Sequence, residues 1–373
     1  MFSIKKSLTG VTGFLLSLLT GTAFADYKLN FPEPVSPLTQ QMYDLHMMTT
    51  TMATGIMIVV IAVVTYSIVK FRKSKDYQAD QNFHKGTFGT WSWLLVPIIV
   101  LGIDLSIAEP ALDALKKVEE QKPADITVKV IGSQWKWTYE YIDDDIRIVS
   151  NMLSKEEAGD NYLRAVDNPL VLPVNKRIRF LHTASDVLHA WWVPAIVYKK
   201  DSIPGYINET WTLIEKEGTY RGQCAENCGT GHAFMPIVVE AVSQEKYDAW
   251  VTAQKTAKAA ALAEASANKT WGKDELMARG KAIYDINCAG CHQTTGEGIP
   301  GVFPALKGSA IATGPVAAHL DIVMNGKAGT AMSAWTNQFN DLELAAVVTY
   351  ERNAWGNDTG DLVQPASVKA VRK

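Results

Sequence analysis

Between Met47 and Val69 the chain carries no charged residue. About twenty consecutive apolar residues suffice to cross a bilayer as a helix. Lys70, Arg72, Lys73 and Lys75 follow at once, and a second apolar stretch runs from near Thr90 through Trp91, Trp93, Leu94, Pro97, Ile98 and Leu101. Two transmembrane helices are therefore predicted, at about 46–70 and 90–112, within an N-terminal segment spanning 26–115. The basic loop between them belongs on the cytoplasmic side, so everything after about residue 110 lies on the outer face. Glu109 and Pro110 mark the helix exit. Asp104 is expected near the outer boundary, because lipid exposure of an ionisable group is costly. Residues 1–25 read as a secretory signal, with Lys5 and Lys6, an apolar run from Val11 to Leu19, and Ala23-Phe24-Ala25 as the cleavage site. Two helices make a poor bundle alone, so a larger membrane partner is implied.

A length of 373 residues calls for more than one domain, and a formal net charge of −3 gives no reason to expect nucleic acid. From Asp125 the periodicity changes to two. Ile126, Val128 and Val130 alternate with polar residues, then Trp135, Trp137, Tyr139 and Tyr141, later Ile178, Phe180 and His182, then Trp211, Leu213 and the run Pro236 to Val242. Aromatic and β-branched residues at this period argue strands. Several short strands predict a β-sandwich over 122–243. Residues 244–272 form a linker, alanine-rich from Lys255 to Lys269, which reads as helix or semi-rigid spacer. Helical spacing resumes at Leu276, Ala278, Ala282, Ile283 and Ile286, and a closing helix carries Leu342, Leu344, Ala345 and Val348. An all-α domain is expected over 273–356, followed by a tail at 357–373.

Four cysteines occur as two close pairs. Cys224, Cys228, His232 and Met235 lie within one short stretch, Gln223 to Pro236, and His189 upstream supplies a second imidazole. Thiolate, imidazole and thioether form a soft ligand set that suits copper. Zinc would have no use for Met235, and a mononuclear blue-copper site needs only one cysteine. Two thiolates four residues apart can bridge two copper ions. A disulfide or a zinc half-site is the plainer reading of the pair. The second pair sits in Cys288-Ala-Gly-Cys291-His292, the attachment signature of c-type haem. His292 is the expected iron ligand, with a thioredoxin-like pair as the alternative. The sixth ligand is sought downstream. Met332 in Gly329-Thr-Ala-Met332-Ser-Ala-Trp335 is favoured over Met324, which sits in a helical setting, and over His319, which reads as a surface histidine. Methionine opposite histidine raises a haem potential, as an electron carrier needs. His46, His84 and His182 read as structural or solvated.

Asp186-Val-Leu-His189 followed by Cys224-x-x-x-Cys228-x-x-x-His232-x-x-Met235 resembles subunit II of the haem–copper cytochrome c oxidases. The resemblance implies a cupredoxin-like domain holding the dinuclear copper centre CuA. Cys224 and Cys228 would be the bridging thiolates, His189 and His232 the imidazole ligands, and Met235 the weak ligand. Glu226 would bind through its backbone carbonyl, with its side chain reaching a magnesium ion shared with subunit I. Gly132-Ser-Gln-Trp135-Lys-Trp137-Thr-Tyr139-Glu-Tyr141 resembles the family's aromatic segment, which implies Trp135 as the point where electrons enter. Glu140, Asp143, Asp144 and Asp145 are candidates for an acidic docking face. Trp93-Leu-Leu-Val-Pro97 resembles the family's second helix, but Thr90 stands where a proton-channel glutamate is usual. Asp201-Ser-Ile-Pro-Gly205 matches a segment near subunit I. The C-terminal part resembles a class I cytochrome c. Together these imply an electron-transfer subunit on a bacterial inner membrane with its copper and haem domains outside. Its partners would be subunit I, subunit III and an external cytochrome c or other donor, with oxygen reduced and protons pumped in subunit I. The alternatives are the CuA subunit of a nitric-oxide-reducing relative, and a membrane-tethered electron carrier or copper donor without a catalytic partner. No general acid, base or nucleophile is assigned.

Overall fold

The computed structural model describes residues 30–372 apart from 76, 79, 267 and 268; the expected signal segment lies outside the described residues. Two long helices, α1 (Pro37–Lys70) and α2 (Thr87–Val118), form an antiparallel hairpin whose apolar windows are wholly exposed. At about 1.5 Å per residue each runs some 50 Å, well past a hydrocarbon core of about 30 Å. The helices therefore extend further than the apolar runs suggested. Pro110 does not end α2. It removes one backbone donor, but the residues after it, Ala111-Leu-Asp-Ala-Leu-Lys-Lys, favour helix, and Lys116 and Lys117 suit the negative end of the dipole.

The projecting ends are fastened to the next layer. Ser36 caps α1 in a capping box with Thr39, and Pro37 takes the first helical position. The Ser36 hydroxyl donates to Ile196 O at 3.0 Å, and that of Thr39 to Ala195 O at 2.9 Å. At the end of α2, Trp211 Nε1 donates to Lys117 O at 3.0 Å.

The predicted sandwich is present. β1 (Ile126–Ser133), β2 (Lys136–Tyr141), β3 (Ile146–Ser150), β5 (Arg177–Ala184) and β8 (Asn208–Leu213) make a sheet in the order β3-β2-β1-β5-β8. β4 (Leu170–Pro173), β9 (Gly218–Gln223) and β10 (Pro236–Val242) form the second, ordered β4-β10-β9. β6 (His189–Trp191) and β7 (Lys200–Ser202) make a small ribbon at one end. The inward set on β2 is Trp137, Tyr139 and Tyr141, all essentially inaccessible. Their polar tips are matched: Tyr141 OH donates to Val171 O at 2.9 Å, and Trp137 Nε1 to Met235 O at 3.3 Å.

The linker is helix α3 (Gln244–Ser266), and its first turns pack on the sandwich through Tyr247, Trp250 and Val251. The expected acidic docking face is taken up by the chain itself. Lys255 pairs with Asp144 at 2.8 Å, Lys258 with Asp145 at 2.7 Å, and Glu140 lies between Lys129 and Arg147.

The C-terminal domain packs α4 (Lys273–Asn287) across α7 (Asp341–Asn353), with α5 (Ala289–His292) and α6 (Val316–Asn325) between them in sequence. Gly280 permits the crossing, since a Cβ there would sit 2.1 Å from Ala346 O. The segment expected to be a tail is part of this core. It forms α8 (Pro365–Val371) on α7, buries Val363 and Val368, and exchanges hydrogen bonds between Gln364 and the Trp271 backbone.

Candidate metal and haem sites

The copper-type ligands converge at the end of the sandwich where β6, β9 and β10 meet. Ligand atoms of His189, Cys224 and Cys228 lie within 4.8 Å of one another, all three residues buried. The two sulfurs are 3.9 Å apart, too far for a disulfide near 2.05 Å. Two thiolates about 2.3 Å from a common ion fit that spacing. His232 Nδ1 is 3.4 Å and Met235 Sδ 3.5 Å from Cys228 Sγ. The Glu226 carbonyl oxygen is 3.4 Å from Cys224 Sγ, and its side chain is half-buried. Five side chains and one carbonyl thus face one small volume, which fits a soft metal pair.

Local packing aims these groups. His189 Nε2 bonds to Asp186 Oδ1 at 2.9 Å and leaves Nδ1 facing Cys224 Sγ at 4.0 Å. A carboxylate on the far nitrogen fixes the tautomer and raises ligand basicity. Burial opposes protonation of His189, yet the Asp186 carboxylate and Cys224 outweigh it and hold the ring above its ordinary value. Gly132 leaves the space, since a Cβ there would meet the imidazole at 2.8 Å. The hydrogen bond from the Cys228 thiol lowers Cys224, with His189 and backbone donors assisting, while that same hydrogen bond, burial and the charge of Cys224 raise Cys228.

The Trp135 indole lies on the ligand loop. Its Nε1 donates to Cys228 O at 3.1 Å, and Gln134 Nε2 donates to the same oxygen at 2.9 Å. Gly231 makes this seat, because a Cβ there would fall 2.1 Å from Trp135 Cδ2. Trp135 does not face open solvent alone: the C-terminal domain lies against it. Phe303 meets the indole edge-on at 6.4 Å between centroids, and Cys291 Sγ is 4.0 Å from Gln134 O. Lys136 Nζ reaches Asn287 Oδ1 at 3.1 Å and lies 4.9 Å above the Trp335 ring, and Arg147 donates to Gln338 Oε1 at 2.7 Å.

In that domain Cys288 caps a single helical turn that contains Cys291, and both are free thiols. Burial pushes Cys291 up to about 11 and raises Cys288 well above the ordinary thiol value. The low-pKa thiolate of a thioredoxin-type redox pair would show the opposite direction. His292 Nδ1 donates to Pro304 O at 2.9 Å, which leaves Nε2 as the nitrogen available to a metal. Met332 sits half-buried on the loop between α6 and α7. Met324 is a core residue of α6, as its helical setting suggested. His319 is not at the surface: it is 2% exposed and its Nε2 meets Glu351 Oε2 at 2.8 Å. His182 is structural, fully buried on Thr210.

Several residues at these sites were not apparent in the sequence. Gln134, Lys136 and Gly231 carry no motif of their own, and Asp186 stood only as part of a pattern. An acid three residues before a ligand histidine was the one available signal.

Three family profiles match the chain. "Cytochrome C oxidase subunit II, transmembrane domain" covers residues 25–113, "Cytochrome C oxidase subunit II, periplasmic domain" covers 126–242, and "Cytochrome C oxidase, cbb3-type, subunit III" covers 275–350. A probable cytochrome c oxidase subunit 2 from Rickettsia bellii is 38% identical over 261 residues, 68% of this chain and 94% of the relative. The chain belongs to the cytochrome c oxidase subunit II family. It carries a fused C-terminal cytochrome c domain and is a subunit of a haem–copper oxidoreductase complex. Cytochrome c oxidase subunit 2 from Metridium senile is 42% identical over 201 residues, 52% of this chain and 79% of that one. Among solved structures, the periplasmic domain of subunit II of cytochrome oxidase from Bradyrhizobium japonicum is 43% identical, covering 36% of this chain and 96% of that chain with a TM-score of 0.34. Family membership implies copper and haem c, a subunit I partner, a cytochrome c donor and membrane anchoring.

Proposed function

We propose that this subunit relays electrons from an external donor through its own c-type haem and a dinuclear copper centre to subunit I, where oxygen is reduced and protons are pumped. Copper and haem supply the one-electron redox chemistry; the chain supplies ligands, spacing and exclusion of water. His189, Cys224, Cys228, His232, Met235 and the Glu226 carbonyl would hold the copper pair. Cys288 and Cys291 would hold the haem covalently, with His292 and Met332 as the candidate iron ligands. The Glu226 carboxylate is assigned to a magnesium ion shared with subunit I. Trp135 stands between the two sites.

The observation that carries this reading is the contact at Trp135. Its indole donates to the backbone of a ligand cysteine and lies against the domain bearing the haem signature. A stiff sandwich holds the copper ligands still, so little reorganisation opposes transfer. Val187, Leu188, Tyr206, Ile207 and Phe234 are exposed apolar residues in the segments around the copper ligands, and the hairpin leaves both spans bare. Such surface is suited to a large membrane partner. Subunit III joins the same complex, and the copper and haem domains face the periplasm of a bacterial inner membrane.

The test is metal and haem content of the purified full-length chain, with electron paramagnetic resonance on the oxidised protein. Two coppers per haem, with one unpaired electron shared over both nuclei, is the expected result. A single localised copper signal, or zinc in its place, overturns it.

A further inference from the structure

The seam between the copper domain and the haem domain is built from few residues, and one is out of place for an ordinary surface. Lys136 begins β2 directly after Trp135 and is only 9% exposed. Lysine is rarely buried unless paired. Among the described residues Lys136 makes no salt bridge, although Asp186 and Arg147 of its own domain act on it through space, and its Nζ contacts are with the other domain. Its Nζ reaches Asn287 Oδ1 at 3.1 Å and Asn287 O at 3.4 Å, and it lies 4.9 Å over the Trp335 ring. Two oxygens and an aromatic face match the three donors of an ammonium. These partners come from two separate elements. Asn287 ends α4 immediately before Cys288, and Trp335 lies in the loop carrying Met332.

We propose that Lys136 is a positioning residue that sets the register of the haem domain over Trp135. Only one placement of that domain gives a buried ammonium all three partners. Any slide or rotation breaks those contacts and loses the charged hydrogen bonds that go with them. The two elements it grips flank the haem attachment and the candidate axial ligand, so the register is fixed where it matters for transfer. Arg147, donating to Gln338 at 2.7 Å, supports the same seam from β3. The inference rests on the electron-relay reading and adds to it which side chain aligns the two redox domains.

The experiment uses the full-length chain, loaded with haem and copper, in detergent. Lys136→Glu places a carboxylate against the Asn287 carbonyl and the electron-rich face of Trp335; Lys136→Arg keeps a cation with several donors. Oxidative footprinting read by mass spectrometry reports solvent access at Trp335 and Trp135, and flash reduction of the haem reports transfer to copper. The Glu variant should raise labelling of Trp335 and Trp135 and slow haem-to-copper transfer by about tenfold, the scale of losing one charged hydrogen-bond contact. Copper and haem spectra should stay those of the parent, and the Arg variant should restore both readouts. Unchanged labelling in the Glu variant overturns the proposal, whether or not transfer slows. Asn287→Leu removes the contact from the haem side and must reproduce the result; parental labelling there also overturns it. If the parent chain itself shows no haem-to-copper transfer, the relay reading fails instead, while footprinting still decides the seam.

Discussion

Gly231→Ala tests the seat of Trp135 with the smallest change available. A Cβ at this position would lie 2.1 Å from Trp135 Cδ2 and 2.5 Å from Cε3 and Cγ. Carbon atoms settle at about 3.5–4.0 Å, so the indole must retreat by roughly 1.4 Å. It has little room to do so. Its Nε1 is tied to Cys228 O at 3.1 Å on one side, and Phe303 packs edge-on against the ring on another. A retreat of that size takes the indole out of hydrogen-bond range. Overpacking of this kind costs about 1–3 kcal/mol, and the lost bond about 0.5–1.5 kcal/mol more. The expected sum is about 1.5–4.5 kcal/mol, falling on the loop that carries Cys228 and His232. Thermal unfolding of the copper-loaded chain, followed by the copper absorption, measures the stability, and footprinting of Trp135 measures the displacement. Transfer from haem to copper should slow as well. A loss below about 0.5 kcal/mol with Trp135 labelling unchanged would refute the argument, since the ring would then not occupy this seat.

Gly280→Ala should destabilise the haem domain despite a helix-propensity gain of about 1 kcal/mol, because the new Cβ meets the Ala346 carbonyl at 2.1 Å and the Tyr350 Cβ at 2.7 Å; a raised melting temperature of the haem absorption would refute it. Burial holds His182 down to about 3, with Lys200 adding to the shift. Its folded value lies below the ordinary 6.5, so its contribution to stability is full above about pH 6.5 and is lost as pH falls toward 3, by about 1.4 kcal/mol per unit. Denaturant midpoints of the metal-free chain at pH 7 and pH 5 should therefore diverge in the parent and converge in His182→Gln. Met235→Leu should perturb the copper spectrum and leave the haem spectrum intact; an unchanged copper signal removes Met235 from the site.

The ligand sets were legible because each lies in one short stretch or beside a recognisable neighbour. Cys224 to Met235 folds as a single loop into β10, and Cys288 to His292 is one helical turn, so spacing along the chain is nearly spacing in space. The sandwich was legible for the related reason that period two on β2 sets Trp137, Tyr139 and Tyr141 on the inner face. What stayed hidden depends on contacts between distant residues. His319 looks like a lone histidine until α6 brings it to Glu351, thirty-two residues on. The acidic turn at Asp143 to Asp145 looks like a docking surface until α3 lays Lys255 and Lys258 over it. Residues 357–372 look unstructured because Val363 and Val368 are too few to show a period, yet they close the haem-domain core. Lys136 is the extreme case, since its hydrogen-bond partner Asn287 lies 151 residues away and Trp335 further still.

The seam need not be strong to be decisive. A domain tethered to its target faces an effective concentration of about millimolar. A contact that would dissociate at that concentration between separate molecules, about −4 kcal/mol, is then half-formed. Here the tether is more restrictive than a flexible chain. The first turns of α3 are fixed on the sandwich by Tyr247, Trp250 and two ion pairs, and its far end is bridged to α4 through Glu264 and Arg279 at 2.6 Å. The helix therefore delivers the haem domain to the neighbourhood of Trp135, and the seam has only to choose among nearby placements. One ammonium, one guanidinium and an edge-on aromatic pair suit that task, because their geometry discriminates more than it binds.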